Sequence, residues 1–224
     1  MDLPEESPAF GAVVHEQQEQ RCCGVHAVNN LLQLRRGDSK HLLKTEANAI
    51  ADELEKEFGI NRCFDGLRSH LPLFGGNYDV EVLVEAMRRR NCEISRHWVL
   101  SAVHELPQLA TSLQGCINDG DGLDMLFYGL LVNRPSKRWL LRFADIGRHW
   151  YALSWNVSQR RWLFHDSKQP LPECLHGATP EQAVLSHLRK ELASVCVDPP
   201  TCSCEHWLES WRRSVHVFEV LQKS

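Results

Sequence analysis

The chain has 224 residues, of which 43% are hydrophobic and 24% charged, and its formal net charge is -4. That balance excludes a disordered or collagen-like chain, and the length suits one domain around a single sizeable core. The weak acidity excludes the basic field of most nucleic-acid binders, and no apolar run approaches the roughly 18 residues of a membrane-spanning helix.

Residues 1–12 are polar and acidic, with Pro4 and Pro8, and read as a loose leader without the basic and then apolar pattern of a secretory signal. The protein is therefore expected inside the cell, with cytoplasm the default, as a monomer. Nine cysteines, an odd number in a chain of this size without an export signal, read as thiols rather than as a disulfide framework.

From Cys23 to Leu34, Val25, Val28, Leu31 and Leu32 recur at helical spacing, which predicts an amphipathic helix with Cys23 in its first turn. A second helix is predicted from Thr45 to Phe58, striped by Ala47, Ile50, Ala51 and Leu54 and stopped by Gly59. Asp79 reads as the N-cap of a third helix that carries Val80, Leu83, Val84 and Met87 and ends near Asn91. Arg88, Arg89 and Arg90 read as a solvated helix end complementing the macrodipole. DGDGLD at 119–124 lacks the ligand pattern of a calcium loop and reads as a polar turn. The apolar stretch from Leu123 to Val132 fits either helix or strand.

His149–Trp155 and Arg161–Asp166 flank NVSQ at 156–159 and read as a β-hairpin. Thr179, Pro180 and Gln182 mark the start of another helix, with Val184, Leu188 and Leu192 as its stripe. Residues 214–221 read as a final strand. Early helices and late strands indicate an α+β domain over residues 13–224, with a mainly antiparallel sheet.

A helix N-terminus supplies partial positive charge and unpaired N–H groups, which favour a thiolate; Cys23 occupies that position. Gly24 beside it allows a close approach of backbone or substrate, and the Gln18 side-chain amide could donate to a developing oxyanion. The missing base is expected far away in sequence, on the sheet. With NVSQ as a symmetric four-residue loop, His149 stands opposite Asp166 with Cα atoms about 5 Å apart, so that the carboxylate orients the imidazole toward Cys23.

The sequence HEQQEQRCCGVHAVNNLLQ at 15–33, GNYDVEVL at 76–83 and RHWYAL with DSK between 148 and 168 resemble, in order, the blocks of the Josephin family of deubiquitinating cysteine proteases. The likeness is greatest to the short stand-alone Josephin proteins. It implies a papain-like fold with a helical arm, and a thiol-dependent hydrolase acting after the C-terminal glycine of ubiquitin. Its site would comprise Cys23 as nucleophile, His149 as base, Asp166 orienting it and Gln18 as oxyanion donor, with Trp150 walling the cleft for the ubiquitin tail. The resemblance implies ubiquitin and ubiquitinated proteins as partners, and no metal or cofactor. A ubiquitin-binding module with little or no turnover is the alternative, and another cysteine acyl transferase on the same scaffold a third reading.

Cys22 departs from the family's usual apolar residue and reads as packing. His26, on the same helix as Cys23, reads as a buried structural residue, and Asn29 and Asn30 as satisfying backbone groups within the helix. His165 falls on the strand face opposite to Asp166. The insertion at about 196–212, with Cys196, Cys202, Cys204 and His206, fits no standard zinc spacing and reads as a thiol-rich loop.

Overall fold

The structure, a computed structural model, describes residues 13–18, 22–58, 78, 80–118, 125–135, 148–195 and 214–223. The leader, the Asp79 cap, the 119–124 turn and the Cys-rich insertion lie outside these residues.

Three helices come first: α1 (Cys23–Leu31), α2 (Lys44–Phe58) and α3 (Val80–Arg88). Strand β1 (Cys92–Leu100) and helix α4 (Leu106–Asn118) follow, then β2 (Met125–Pro135), β3 (Arg148–Asn156), β4 (Arg161–His165) and the short β5 (Glu173–Cys174). Helix α5 (Pro180–Val195) and β6 (Val215–Lys223) close the described chain. The six strands form one antiparallel sheet in the order β1-β6-β2-β3-β4-β5.

The sheet is covered on both faces. On one side Leu131, Trp150, Ala152, Phe218 and Val220 pack under α1, α2 and α3. On the other, Leu130, Val132, Tyr151, Leu153, Val215 and Val217 pack under α4 and α5. Strand β2 is therefore buried on both faces, which explains why residues 123–132 read as one apolar run without a diagnostic period. Each fully buried Leu or Val contributes about 1.5–3 kcal/mol, so the two layers together dominate the stability of the domain.

Three sequence expectations are corrected. Helix α1 stops at Leu31 rather than Leu34, because Leu32 closes the last turn onto the Val28 carbonyl and Gln33 takes a left-handed φ of 54°. The Gln33 side-chain amide then bonds both the N–H and the C=O of Val14, fixing the incoming chain. The arginine run is not wholly solvated: Arg90 is buried, with its guanidinium on both oxygens of Glu46 and on the Lys40 and Ala86 carbonyls. It ties α2 and the loop before it to the end of α3.

The β3–β4 hairpin turns one residue later than expected. Asn156 pairs with Arg161, so the loop is Val157–Arg160, closed by the Arg160 N–H on the Val157 carbonyl and a positive φ of 48° at Arg160. The pairs run Asn156–Arg161 to Ala152–His165, two positions away from a register that sets His149 against Asp166. A shift of two preserves the face each side chain occupies, whereas a shift of one would reverse it.

Candidate active site

All nine residues of α1 are buried. A helix with no solvent face must supply partners for every polar side chain it carries, since an unpaired buried polar group costs about 1–3 kcal/mol. Glu16, 8% exposed on the segment before α1, meets most of this need. Its carboxylate accepts from His26 Nδ1 at 2.8 Å, Asn29 Nδ2 at 2.9 Å, His41 Nε2 at 2.9 Å and Arg36 Nε at 3.1 Å. Burial alone would raise this carboxyl, but the bonds from His26, Asn29 and His41 and the His26 charge bring it down to about 2.

His26 is thus structural, as its place on the Cys23 helix suggested. Asn29 and Asn30 do satisfy backbone groups, but on the neighbouring segments rather than inside the helix. Asn30 bonds the N–H and C=O of Glu16, and Asn29 those of Leu42. The role of Glu16 was not read from the sequence. Its one legible sign was an acidic residue placed just before a helix that carries His26, Asn29 and Asn30 in an otherwise apolar setting.

This clamp sets Cys23 at the first residue of α1, against β3. Its thiol is 3% exposed, and the backbone N–H groups of Trp150 and Gly24 are hydrogen-bonded to the sulfur. Burial pushes the thiol above its ordinary range, while those two bonds and the Lys168 charge act in the opposite direction. Cys22 is buried beside it, also with a raised thiol, and both are reduced cysteines.

On the sheet, His149 Nε2 lies 2.8 Å from Asp166 Oδ1. This leaves Nδ1 as the nitrogen not engaged by the carboxylate. Burial lowers the imidazole's pKa, and the Asp166 bond and charge only partly offset it, so His149 rests neutral near pH 7. Burial by itself would raise the Asp166 carboxyl, but the His149 bond and charge, the Lys168 N–H and the Arg134 charge bring it to about 2. The structure therefore brings His149 and Asp166 together as expected, although through a diagonal rather than a directly opposed pair.

Gln18 joins this end of the sheet through its backbone: its N–H donates to the Ser167 carbonyl at 2.6 Å, immediately after Asp166. Among the described residues the side-chain Oε1 of Gln18 is buried without a hydrogen-bond partner. Gly24 is tightly packed, and a Cβ there would stand 3.1 Å from Leu83 Cδ1 and 3.4 Å from Trp150 Cδ1. The close approach at Gly24 in this state is thus made by these two side chains. Trp150 is 4% exposed, with its indole N–H on the Tyr78 carbonyl and its ring against Phe218, while its backbone N–H meets the Cys23 sulfur. His165 occupies the other strand face, as expected, donating to or accepting from Ser154 Oγ at 2.8 Å and stacking on His15.

Arg134, Glu191 and Ser167 were not singled out in the sequence. Arg134 ends an apolar run in β2, and that contrast was the available signal. Among the described residues no group of His, Cys, Asp and Glu side chains is arranged to hold a metal ion, and no helix is long and apolar enough to cross a membrane.

A buried thiol at the start of a helix, set against a sheet that carries a paired imidazole and carboxylate, belongs to an α+β domain of the papain-like class. Comparison with known proteins specifies it further. A sequence profile described as Josephin matches residues 18–197. Josephin-2 of Mus musculus is 32% identical over 180 residues, 77% of this chain and 77% of the mouse protein. A Josephin-like protein of Drosophila melanogaster is 29% identical over 184 residues, 80% of this chain and 69% of the fly protein. A Josephin-like protein of Arabidopsis thaliana is 28% identical over 169 residues, 72% of this chain and 40% of the plant protein. The chain belongs to the Josephin family, and this membership supports a deubiquitinase-type function.

Proposed function

We propose that this chain is a thiol-dependent deubiquitinase that hydrolyses the peptide or isopeptide bond after the C-terminal glycine of ubiquitin, with residues 13–224 as its catalytic domain. The carrying observation is the 2.8 Å bond from His149 Nε2 to Asp166 Oδ1, one residue from the Trp150 N–H that bonds the Cys23 sulfur. It leaves Nδ1 of a neutral imidazole for the thiol proton.

In this reading His149 Nδ1 takes the proton as the Cys23 sulfur attacks the glycine carbonyl. The Gln18 amide donates to the oxyanion, an interaction that in comparable sites is worth about 10²–10³ in kcat. The C–N bond breaks, and the imidazolium returns its proton to the departing amine. Water, deprotonated by the same imidazole, then cleaves the thioester and restores the thiol. Asp166 stabilises the imidazolium and fixes its tautomer.

The raised Cys23 thiol and lowered His149 imidazole favour the neutral pair at rest. Thiolate formation is then coupled to substrate entry. The same burial is what a ubiquitin-binding module without turnover would show, so the test must be covalent. Ubiquitin bearing a C-terminal electrophile is incubated with the reduced protein and with Cys23→Ala and Cys22→Ala. An adduct on the unaltered protein that Cys23→Ala alone abolishes is expected. Folded protein that binds ubiquitin without forming an adduct would overturn the hydrolase in favour of the binding module.

A further inference from the structure

We infer that Arg134 and Glu191 are positioning residues for the His149–Asp166 pair, forming a buried ion pair that runs from α5 across the sheet to the outer oxygen of Asp166. The inference rests on the reading of His149 as the base, but its geometry stands independently.

Arg134 is the register partner of His149 in the β2–β3 ladder, so the two side chains leave the sheet on the same face. Arg134 is 9% exposed, with Nη2 3.8 Å from Asp166 Oδ2, Nε 3.2 Å from Glu191 Oε2 and Cζ 5.9 Å from the centroid of the Tyr151 ring. Glu191, on α5, is 7% exposed.

The two oxygens of Asp166 thus have separate surroundings. Oδ1 accepts from His149 and from the Lys168 N–H at 3.0 Å, and Oδ2 faces the arginine. The terminal torsion of an aspartate is broad, so one bonded oxygen does not by itself fix the carboxylate plane. A cation 3.8 Å from the second oxygen biases that plane electrostatically. Burying an arginine near a catalytic imidazole would nevertheless oppose protonation of that imidazole. Glu191 offsets that field from the far side, which gives its burial a purpose that joining α5 to the sheet does not require. Ion pairs of this kind are seldom retained for stability alone, because desolvation consumes much of the attraction.

The charges act on His149 with opposite signs. Around the imidazole stand Asp166 and Lys168 after β4 and Arg134 on β2; Arg134 in turn meets Glu191 on α5, and Tyr151 on β3 packs against His187 of the same helix. The Arg134 charge depresses both the His149 and Asp166 pKa values. Removing it should raise that of His149, whereas removing its counter-charge should lower it further.

The test uses the whole chain as Arg134→Met, Arg134→Lys, Glu191→Gln and the double variant Arg134→Met/Glu191→Gln. The His149 ring is titrated by NMR, assigned by its loss in His149→Gln, and kcat/KM is measured against pH on a ubiquitin C-terminal amide. Arg134→Met is expected to move the imidazole titration and the acid limb up by about half a unit, and Glu191→Gln to move both down by a similar amount. The double variant should return the titration near that of the unaltered protein yet keep a kcat roughly tenfold low at unchanged KM, because the orienting contact is still missing. Arg134→Lys should recover part of that loss. Where Arg134→Met does not fold, Glu191→Gln carries the test, since it removes a charge with little change of shape. Melting temperatures that fall while titration and acid limb stay in place would overturn the inference and leave a structural tie. If the unaltered protein neither turns over nor labels, the deubiquitinase reading fails, while the NMR titration still decides the ion pair's effect.

Discussion

His149 and Asp166 are joined by a 2.8 Å hydrogen bond although they do not face each other in the β3–β4 ladder. The last ladder pair is Ala152 with His165, and extending it sets Asp166 beside Tyr151, one diagonal step from His149. Diagonal neighbours on one sheet face lie about 7–8 Å apart, within reach of an imidazole and a carboxylate that lean together. The pairing thus depends on the shared face, which a register shift of two preserves.

This makes Asp166 replaceable in geometry but not in charge. Asp166→Asn keeps an acceptor near Nε2 and should retain more activity than Asp166→Ala, with both losses within the roughly 10²–10⁴-fold range of positioned acid–base groups. The Asp166 charge raises the His149 pKa against the effect of burial, so either variant should move the acid limb of kcat/KM to lower pH. An acid limb moving upward would contradict this account of the imidazole.

A buried, raised thiol behaves differently from a preformed ion pair. Site-resolved mass spectrometry of iodoacetamide alkylation should show the Cys23 rate still climbing above pH 9 in the substrate-free protein, without a plateau between pH 5 and 8. A plateau in that window would show that the thiolate–imidazolium pair forms before substrate arrives.

Glu16 predicts an acid-labile scaffold. Its folded pKa of about 2 lies below its ordinary 4.5, so it contributes stability above pH 4.5 that is lost progressively as the pH falls toward 2. By linkage this is about 3 kcal/mol, an order-of-magnitude figure. Glu16→Gln should lower stability by a similar amount near pH 7 and flatten the dependence below pH 4.5, as measured by urea unfolding at a series of pH values. An unchanged slope would assign the acid sensitivity to other carboxylates.

Gly24 should tolerate no side chain without repacking. In Gly24→Ala the new Cβ would press on both methyl groups of Leu83, at 3.1 and 3.2 Å, destabilising the fold by about 1–3 kcal/mol. Gly24→Ala combined with Leu83→Ala should lose less than the sum of the single changes, because each relieves the crowding or the void left by the other. Strict additivity in thermal unfolding would place the Gly24 requirement elsewhere.

Much of this arrangement was legible in the chain itself. The helical spacing of Val25, Val28 and Leu31 located α1, and the aromatic and β-branched runs around residues 149–155 and 161–166 located the hairpin. Both signals arise from elements that bury one clear set of positions. Strand β1 carried no such signal, because most of its middle residues are exposed on the sheet edge. Strand β2 carried too uniform a signal, because both of its faces are buried.

The sequence by itself determined the residue types that can do thiol chemistry, their order and the local elements that hold them, since helix and strand periods and end signals act over a few neighbours. Only the tertiary structure decided how they meet. Glu16 reaches His41 across 25 positions, and Arg134 reaches Glu191 across a sheet layer onto α5. The turn between β3 and β4 chose a register no local pattern specified. Such contacts follow from which faces the sheet and helices bury together, and a buried charge reveals its partner only when the elements that exclude water from it are in place.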